Sequence, residues 1–382
     1  MKPFNVDIDE RDLDDLRKRV RDARWPEPFD DPTWSQGIDA TFLRKLCGYW
    51  SDHYDWRTDE DRLNSFDQWT TVVHDQTIHF IHRRSSNPDA TPLLLLHGWP
   101  CSVFEFLDLI DELAEPSHGG AAFHVVCPSL PGYGFSTPIA AHGTDSRRTA
   151  DLMAELMGQL GYQRFLAHGG DFGAIILTQM AGRSPQSLLG MHLTMAFVPP
   201  LEGAALTDRD RAGLERLRHF QKHDYAYSAL QKTTPSTLGF ALTDSPVGQA
   251  AWIVERFRNW SDCQGDVLSV FSMDQLLANV TLYWLTATSG SSARLYYETE
   301  RTDSFIAPRS TVPVGYADFA GDTCRLPRSW LEDRLHIIKW TSMPRGGHFP
   351  AMEVPMALAD DIRDFSAALL SCGSSDRPVA ET

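Results

Sequence analysis

Apolar positions along the chain follow two alternating rhythms. Short, wholly apolar runs (Leu93-Leu94-Leu95-Leu96, Val125-Val126, Phe165-Leu166-Ala167) end in His97-Gly98-Trp99-Pro100, Cys127-Pro128 and His168-Gly169-Gly170-Asp171. Such runs predict strands buried on both faces. Between them, apolar residues recur every fourth position. Leu152, Leu156 and Leu160 within Thr149 to Leu160 predict a helix with one face for a sheet. Strand and helix alternate, so the fold class is α/β, with a mostly parallel central sheet and helices on both faces. Upstream, Thr71-Val72-Val73, a turn at Asp75-Gln76 and Ile78-His79-Phe80-Ile81 predict a hairpin. Before it, a Phe4-Val6-Ile8 alternation leads to Asp9, which can cap a helix with Leu13, Leu16 and Val20 on one face, stopped by Trp25-Pro26.

The alternation fails from about Pro199 to Asp303, where charged helical stretches rich in Trp and Tyr replace the buried runs. This segment is expected to be a helical cap inserted into the core. Strand patterning returns at Val312-Pro313-Val314 and Leu335-His336-Ile337-Ile338, and an amphipathic helix is expected from about Met356 to Leu370. The expected division is therefore an N-terminal segment over 1–70, a first core half over 71–198, the cap over 199–305, a second core half over 306–371 and a flexible tail over 372–382.

Composition narrows the partners. At 382 residues and 42% hydrophobic content the chain can bury a large core. Its net charge of −16, from 35 basic and 51 acidic residues, argues against a nucleic-acid partner or an anionic membrane surface and for neutral small molecules. Cys47, Cys101, Cys127, Cys263, Cys324 and Cys372 are scattered, without the spacing of a metal site or the density of a disulfide scaffold, so no metal is expected and the thiols are read as reduced. Met1 to Glu10 has neither a basic nor an apolar leader character, and Leu93 to Leu96 is far too short to span a bilayer. The expectation is a cytoplasmic protein, in which Asn259-Trp260-Ser261 and Asn279-Val280-Thr281 are chance matches to glycosylation acceptors.

The candidate chemistry starts at Asp171. The run Phe165 to Ile176 has the form of a nucleophile elbow, a strand, a glycine-flanked turn and an apolar helix start, with aspartate where serine is usual. Carboxylate attack on electrophilic carbon gives an alkyl ester, which shifts the chemistry from acyl cleavage to displacement at saturated carbon. In a parallel sheet, loops at the carboxyl ends of the strands converge, which brings His97 to Pro100 beside Asp171. The backbone amides of Trp99 and Phe172 are the expected oxyanion hole. Chain order and the flanking glycines of Arg345-Gly346-Gly347-His348-Phe349-Pro350 single out His348, among 14 histidines, as the general base. Its orienting acid is Asp318 or Asp322, between which spacing gives Asp322 only a slight edge. Among the cap tyrosines Tyr225, Tyr227, Tyr283, Tyr296 and Tyr297, composition selects none. Pro131 to Ser136 lacks the context of a phosphate cradle and reads as loop structure, and Asp12, Asp14 and Asp15 beside Arg17, Lys18 and Arg19 read as a solvated helix face.

Taken together, these motifs resemble the α/β-hydrolase-fold epoxide hydrolases, in particular the microsomal-type branch with an N-terminal meander. Arg24-Trp25-Pro26, His97-Gly98-Trp99-Pro100, Gly169-Gly170-Asp171-Phe172-Gly173 and Arg345-Gly346-Gly347-His348-Phe349 carry the resemblance across nearly the whole chain. Val312 to Asp322 is similar to the segment whose final acid orients the base, which places that role on Asp322. Tyr227, before Ser228-Ala229-Leu230-Gln231, and Tyr296, after Arg294-Leu295, match the two tyrosines that activate the epoxide oxygen. The resemblance implies hydrolysis of an epoxide to a vicinal diol through an aspartyl ester, without a cofactor, with Trp99 and Phe172 also against the substrate. Expected partners are a small-molecule epoxide and water, with no membrane anchor and room for a homo-oligomer. Phe172 stands where this branch usually has tryptophan, and Asp322 where glutamate is common. A haloalkane dehalogenase would share the aspartate but needs N–H donors for halide, commonly from the side chain of a tryptophan where this chain has Phe172, and a catalytically silent binding protein would not need nucleophile, base and acid together. Trp252, Phe257, Trp260, Tyr283 and Trp284 in the cap suggest a bulky or aryl epoxide, met in detoxification or in natural-product biosynthesis.

Overall fold

The computed structural model describes residues 1–27 and 32–374, with the side chains of 372–374 not described. Nine strands form one sheet: β1 (Lys2–Phe4), β2 (Gln68–Val73), β3 (Gln76–Arg83), β4 (Thr91–Leu96), β5 (Phe123–Pro128), β6 (Phe165–Gly169), β7 (Leu188–Leu193), β8 (Ser310–Phe319) and β9 (Leu335–Met343). Their order is β1-β2-β3-β5-β4-β6-β7-β8-β9. The pairs from β1 to β5 through β3 are antiparallel and every pair from β5 onward is parallel. This is the α/β-hydrolase fold. The apolar runs form its centre: Leu94, Leu95 and Leu96 of β4 and Val125, Val126 and Cys127 of β5 are completely buried. Side chains covered on both sides leave no polar face, which is why these strands read as continuous apolar runs.

Two sequence expectations need correction. The hairpin turn falls on His74-Asp75, because Val73 pairs directly with Gln76 and His74 takes the left-handed conformation at φ 48°. Gln76 is thus the first residue of β3, where its buried side chain amide donates to the carbonyl of Pro138. The second is an omission: Leu188-Leu189-Gly190-Met191-His192-Leu193 is a strand, β7, between β6 and β8. Gly190 and His192 break its apolar run, yet both are needed there. A Cβ at Gly190 would lie 2.8 Å from the ring of Phe365, and His192 Nε2 lies 2.9 Å from the buried Asp361.

Between β7 and β8 the chain leaves the sheet for the helices Asp208–His223, Ala226–Thr233, Pro235–Asp244, Pro246–Trp260, Met273–Leu285 and Ser289–Arg301. This helical layer is bonded to the turn after β4: Asn279 Nδ2 donates to the Pro100 carbonyl at 2.6 Å and Tyr283 Oη to the Cys101 carbonyl at 2.9 Å. The N-terminal segment in turn grips the layer from outside. Trp50 Nε1 donates to Thr281 Oγ1 at 2.9 Å, Tyr49 Oη to Asp274 at 2.9 Å, and Arg19 reaches Asp244. Helix Glu10–Arg21 is capped by Asp9 and buries Leu13, Leu16 and Val20, so the face written in the sequence is the face used. The final helix runs Pro355–Ser374, four residues past Leu370, and the tail from 375 lies outside the described residues. Among the described residues, no helix is long and apolar enough to cross a membrane, no cluster of His, Cys, Asp and Glu could hold a metal ion, and the five described cysteines are free and buried.

Candidate active site

Asp171 stands at the carboxyl end of β6 as the first residue of helix Asp171–Arg183, with φ at 42°. A non-glycine residue is strained in that region, and the surroundings hold it there. Gly173 shows how tightly: a Cβ on it would lie 1.9 Å from the Leu96 carbonyl oxygen of β4. The elbow can only turn this close to the neighbouring strand if that position is glycine. Asp171 also lies in the first turn of this helix, the end that favours negative charge.

The turn after β4 supplies the second wall. Trp99 N–H donates to Asp171 Oδ1 at 2.8 Å, and a Cβ on Gly98 would fall 2.3 Å from Asp171 Cβ. One carboxylate oxygen is therefore engaged by the backbone. The other, Oδ2, lies 3.4 Å from His348 Nε2. The Phe172 amide sits in the first helical turn beside it. The Trp99 ring stacks at 5.0 Å and 6° on Tyr227, so the residue that donates its amide to Asp171 also backs the tyrosine with its indole.

His348 comes from the loop after β9. Its own N–H donates to the Trp260 carbonyl at 2.9 Å, and the Glu353 carboxylate collects the amides of Asp262, Gly347 and Phe349, tying this loop to the end of helix Pro246–Trp260. On the far side of the imidazole, Nδ1 lies 3.1 Å from Asp322 Oδ1. Burial acts to push Asp322 up, but His348 beside it and the Cys324 and Thr323 amides hold it below the ordinary carboxylate range. Burial likewise acts to lower His348, and Asp322 and Asp171 together overcome it, so its pKa lies well above the ordinary imidazole value. Asp318 is engaged elsewhere: in β8 it accepts from Arg325 at 2.7 and 3.0 Å and pairs with Arg209 at 2.7 Å.

Tyr227, on helix Ala226–Thr233, and Tyr296, on helix Ser289–Arg301, face Asp171 from the helical layer. Both are buried, and burial followed by nearby charge keeps both phenols well above their ordinary pKa: Asp171 acts on Tyr227, and Tyr227 and then Asp171 on Tyr296. Tyr296 Oη is buried beside Tyr227 without a well-formed hydrogen bond among the described residues, and the buried His348 Nε2 has only the long 3.4 Å approach to Asp171 Oδ2. Buried polar atoms left short of partners are uncommon, and these two face one cavity.

That cavity has a volume of about 290 Å³ and brings together Asp171, Phe172, Tyr227, Tyr296 and His348. Its apolar walls are Met195, Phe197, Leu217, Phe220, Trp260 and Phe305. Of the five cap aromatics singled out in the sequence, Trp260 alone lines it, because Phe257 stacks at 4.5 Å on Phe349 of the loop after β9 and Tyr283 packs on Tyr133 and bonds the Cys101 carbonyl. Met195 and Phe197 could have been found: they follow β7, and the carboxyl end of any recognised strand points to the site. Another buried group escaped the sequence reading. Glu105 lies just beyond the Trp99 turn, and burial pushes its carboxyl up to about 8, against the lowering influence of His348 and with the help of Asp171.

Fold and site together define an α/β hydrolase with a carboxylate at the strand-to-helix elbow after β6. The family model described as "Epoxide hydrolase N terminus" matches residues 1–106 and that of the "alpha/beta hydrolase fold" matches 91–251. A homologue from Stigmatella aurantiaca is 42% identical over 95% of this chain and 84% of its own length, and epoxide hydrolase 1 of Sus scrofa is 36% identical over 97% and 89%. The structure of Aspergillus niger epoxide hydrolase superposes with a TM-score of 0.87 at 32% identity, covering 96% of each chain. The chain belongs to the epoxide hydrolase family and is an enzyme of that activity.

Proposed function

We propose that the enzyme opens its epoxide in two covalent steps. Asp171 attacks an epoxide carbon through Oδ2, the oxygen not engaged by Trp99, while the Tyr227 and Tyr296 hydroxyls hydrogen-bond the ring oxygen and assist its departure as an alcohol. The product of this step is a hydroxyalkyl ester on Asp171. His348, oriented by Asp322, then takes a proton from water, which adds to the ester carbonyl. The Trp99 and Phe172 amides hold the oxyanion that forms, and collapse releases a vicinal diol. The observation that carries this reading is the divided carboxylate of Asp171, with Oδ1 bonded to the Trp99 amide and Oδ2 turned towards His348 in a cavity shared with two tyrosines. Neither step calls for a cofactor or a metal.

The substrate proposed is a bulky or aryl epoxide. The walls formed by Phe172, Phe197, Leu217, Phe220, Trp260 and Phe305 support it. The proposed setting is the cytoplasm, with epoxide and water as the partners, in detoxification or natural-product biosynthesis. The test is single-turnover mass spectrometry of a His348→Gln variant with styrene oxide. A substrate-sized adduct on the Asp171 peptide is expected, with no turnover in Asp171→Ala. No adduct across a panel of epoxides, together with normal turnover in Asp171→Ala, overturns the mechanism, and halide release from haloalkanes would favour a dehalogenase.

A further inference from the structure

The two hydroxyls that face Asp171 stand in unequal surroundings. The Arg256 guanidinium lies 5.4 Å from the centroid of the Tyr227 ring and 5.8 Å from that of Trp260. Among the described residues, no guanidinium or ammonium lies over the Tyr296 ring, whose neighbours are the rings of Trp99, Phe172, Tyr227 and Phe305. Arg256 is buried on helix Pro246–Trp260, where solvent screens its charge poorly. It is held by Asp224 at the end of helix Asp208–His223 and by Glu255 at 2.5 Å. Asp224 in turn accepts from Trp260 Nε1 at 2.6 Å and from Asn259 Nδ2 at 3.2 Å, so its negative charge is shared among several donors.

We propose that Arg256 is the electrostatic partner that makes Tyr227 the stronger proton donor of the pair, leaving Tyr296 as a hydrogen-bonding companion. The proposal rests on the two-step reading above. The charged and titratable groups facing Tyr227 are Asp171 from the elbow, Asp224 and Arg256 from the helical layer, and Tyr296. Asp171 and Asp224 oppose loss of the phenolic proton, and Arg256 favours it. As the epoxide C–O bond breaks, the Tyr227 proton moves towards the leaving oxygen and electron density rises in the Tyr227 ring. A cation over that ring is then held more strongly than in the ground state, which is the condition for lowering the barrier. The new bond is Asp171 Oδ2 to carbon. The tyrosine proton stays on the product alcohol, the proton that His348 takes from water returns to Tyr227, and the proton left on the added hydroxyl passes to the departing ester oxygen, so that Asp171 ends the cycle as a carboxylate. An ion pair that merely fastened two helices would need no placement over the ring of a residue in the active-site cavity.

The test measures alkylation and ester hydrolysis separately, by stopped-flow tryptophan fluorescence with styrene oxide, in Arg256→Met and Arg256→Lys. Arg256→Met is expected to slow alkylation roughly 3- to 30-fold and leave ester hydrolysis unchanged, with Arg256→Lys restoring most of the loss. The same change is then made in Tyr227→Phe and Tyr296→Phe backgrounds. Its effect should vanish in the first and persist in the second. An equal loss in both backgrounds, or equal slowing of both steps, overturns the proposal. If Arg256→Met alone does not fold, Arg256→Gln, which keeps a donor for Asp224 without the charge, enters the same cycle. An Asp171 adduct that forms without any dependence on Arg256 refutes this inference alone, whereas absence of the adduct in His348→Gln refutes the reading beneath it.

Discussion

Asp322 Oδ1 lies 3.1 Å from His348 Nδ1, while the opposite nitrogen of the same ring faces Asp171 at 3.4 Å. The imidazole is thus held between two carboxylates, which the proposed mechanism treats differently: Asp322 keeps its charge throughout, and Asp171 loses its own on becoming an ester. In Asp322→Asn the tautomer and charge of His348 lose their support, so ester hydrolysis should fall by about 10²- to 10⁴-fold while alkylation continues. The alkyl-enzyme should then accumulate with substrate, as mass spectrometry would register. A parallel fall in both steps would place Asp322 outside the second step.

Esterification also predicts a pH effect. In the free enzyme Asp322 and Asp171 raise the His348 pKa well above its ordinary 6.5, and the proposed ester would remove the Asp171 contribution. Hydrolysis needs neutral His348. Its rate should therefore rise with pH through an inflection lower than the His348 titration of the free enzyme. Stopped-flow hydrolysis rates set against an NMR titration of the resting protein provide the comparison, and coincident inflections would contradict it.

Glu105 gives a stability prediction. Its pKa is about 8 in the fold against an ordinary 4.5, so between those values the folded state binds more protons than the unfolded chain. Stability contributed by the protonated form is complete below the ordinary value and is lost as pH rises towards 8. Glu105→Gln removes the titration. Its melting temperature should exceed that of the parent most at pH 8, by several degrees, and the excess should shrink towards pH 5. An excess that does not change with pH would argue against a protonated Glu105.

The two glycines closest to the nucleophile should fail differently when a methyl group is added. Gly98→Ala places a Cβ against Asp171 itself, so activity should drop by more than about 10²-fold in a folded protein. Gly173→Ala places one against the Leu96 carbonyl in the centre of the sheet, and soluble yield and melting temperature should fall first. Circular dichroism melts alongside kcat would separate the two.

Much of this site is legible from local pattern alone. The elbow around Asp171 and the glycine-rich loop of His348 announce themselves because tight turns at strand ends demand particular residues. Spacing left Asp318 and Asp322 open because both are compatible with the end of a strand. What separates them is the long-range placement of Arg209 and Arg325, which engage Asp318 from other elements. Strand β7 was hidden by Gly190 and His192, residues explained by contacts with Phe365 and Asp361 far along the chain. The cavity walls were illegible for the same reason. An aromatic residue in an amphipathic helix can face a ligand or a neighbouring helix, and the sequence period does not distinguish them.

The N-terminal helices hold the outer layer at three places, through Trp50 to Thr281, Tyr49 to Asp274 and Arg19 to Asp244. Helix Met273–Leu285 is consequently bonded on one side to this strap and on the other to the turn carrying Pro100 and Cys101. A layer clamped from both sides has little freedom to swing as a unit, so traffic through the cavity should depend on rotation of individual side chains at its rim. Amide hydrogen exchange along 273–285 should accordingly be as slow as in the central strands and little altered by a bound diol. Deleting Trp50's hydrogen bond with Trp50→Phe should speed exchange there before it affects the sheet. The leading seventy residues, none of which among those described lines the cavity, would then set the tempo at which molecules come and go.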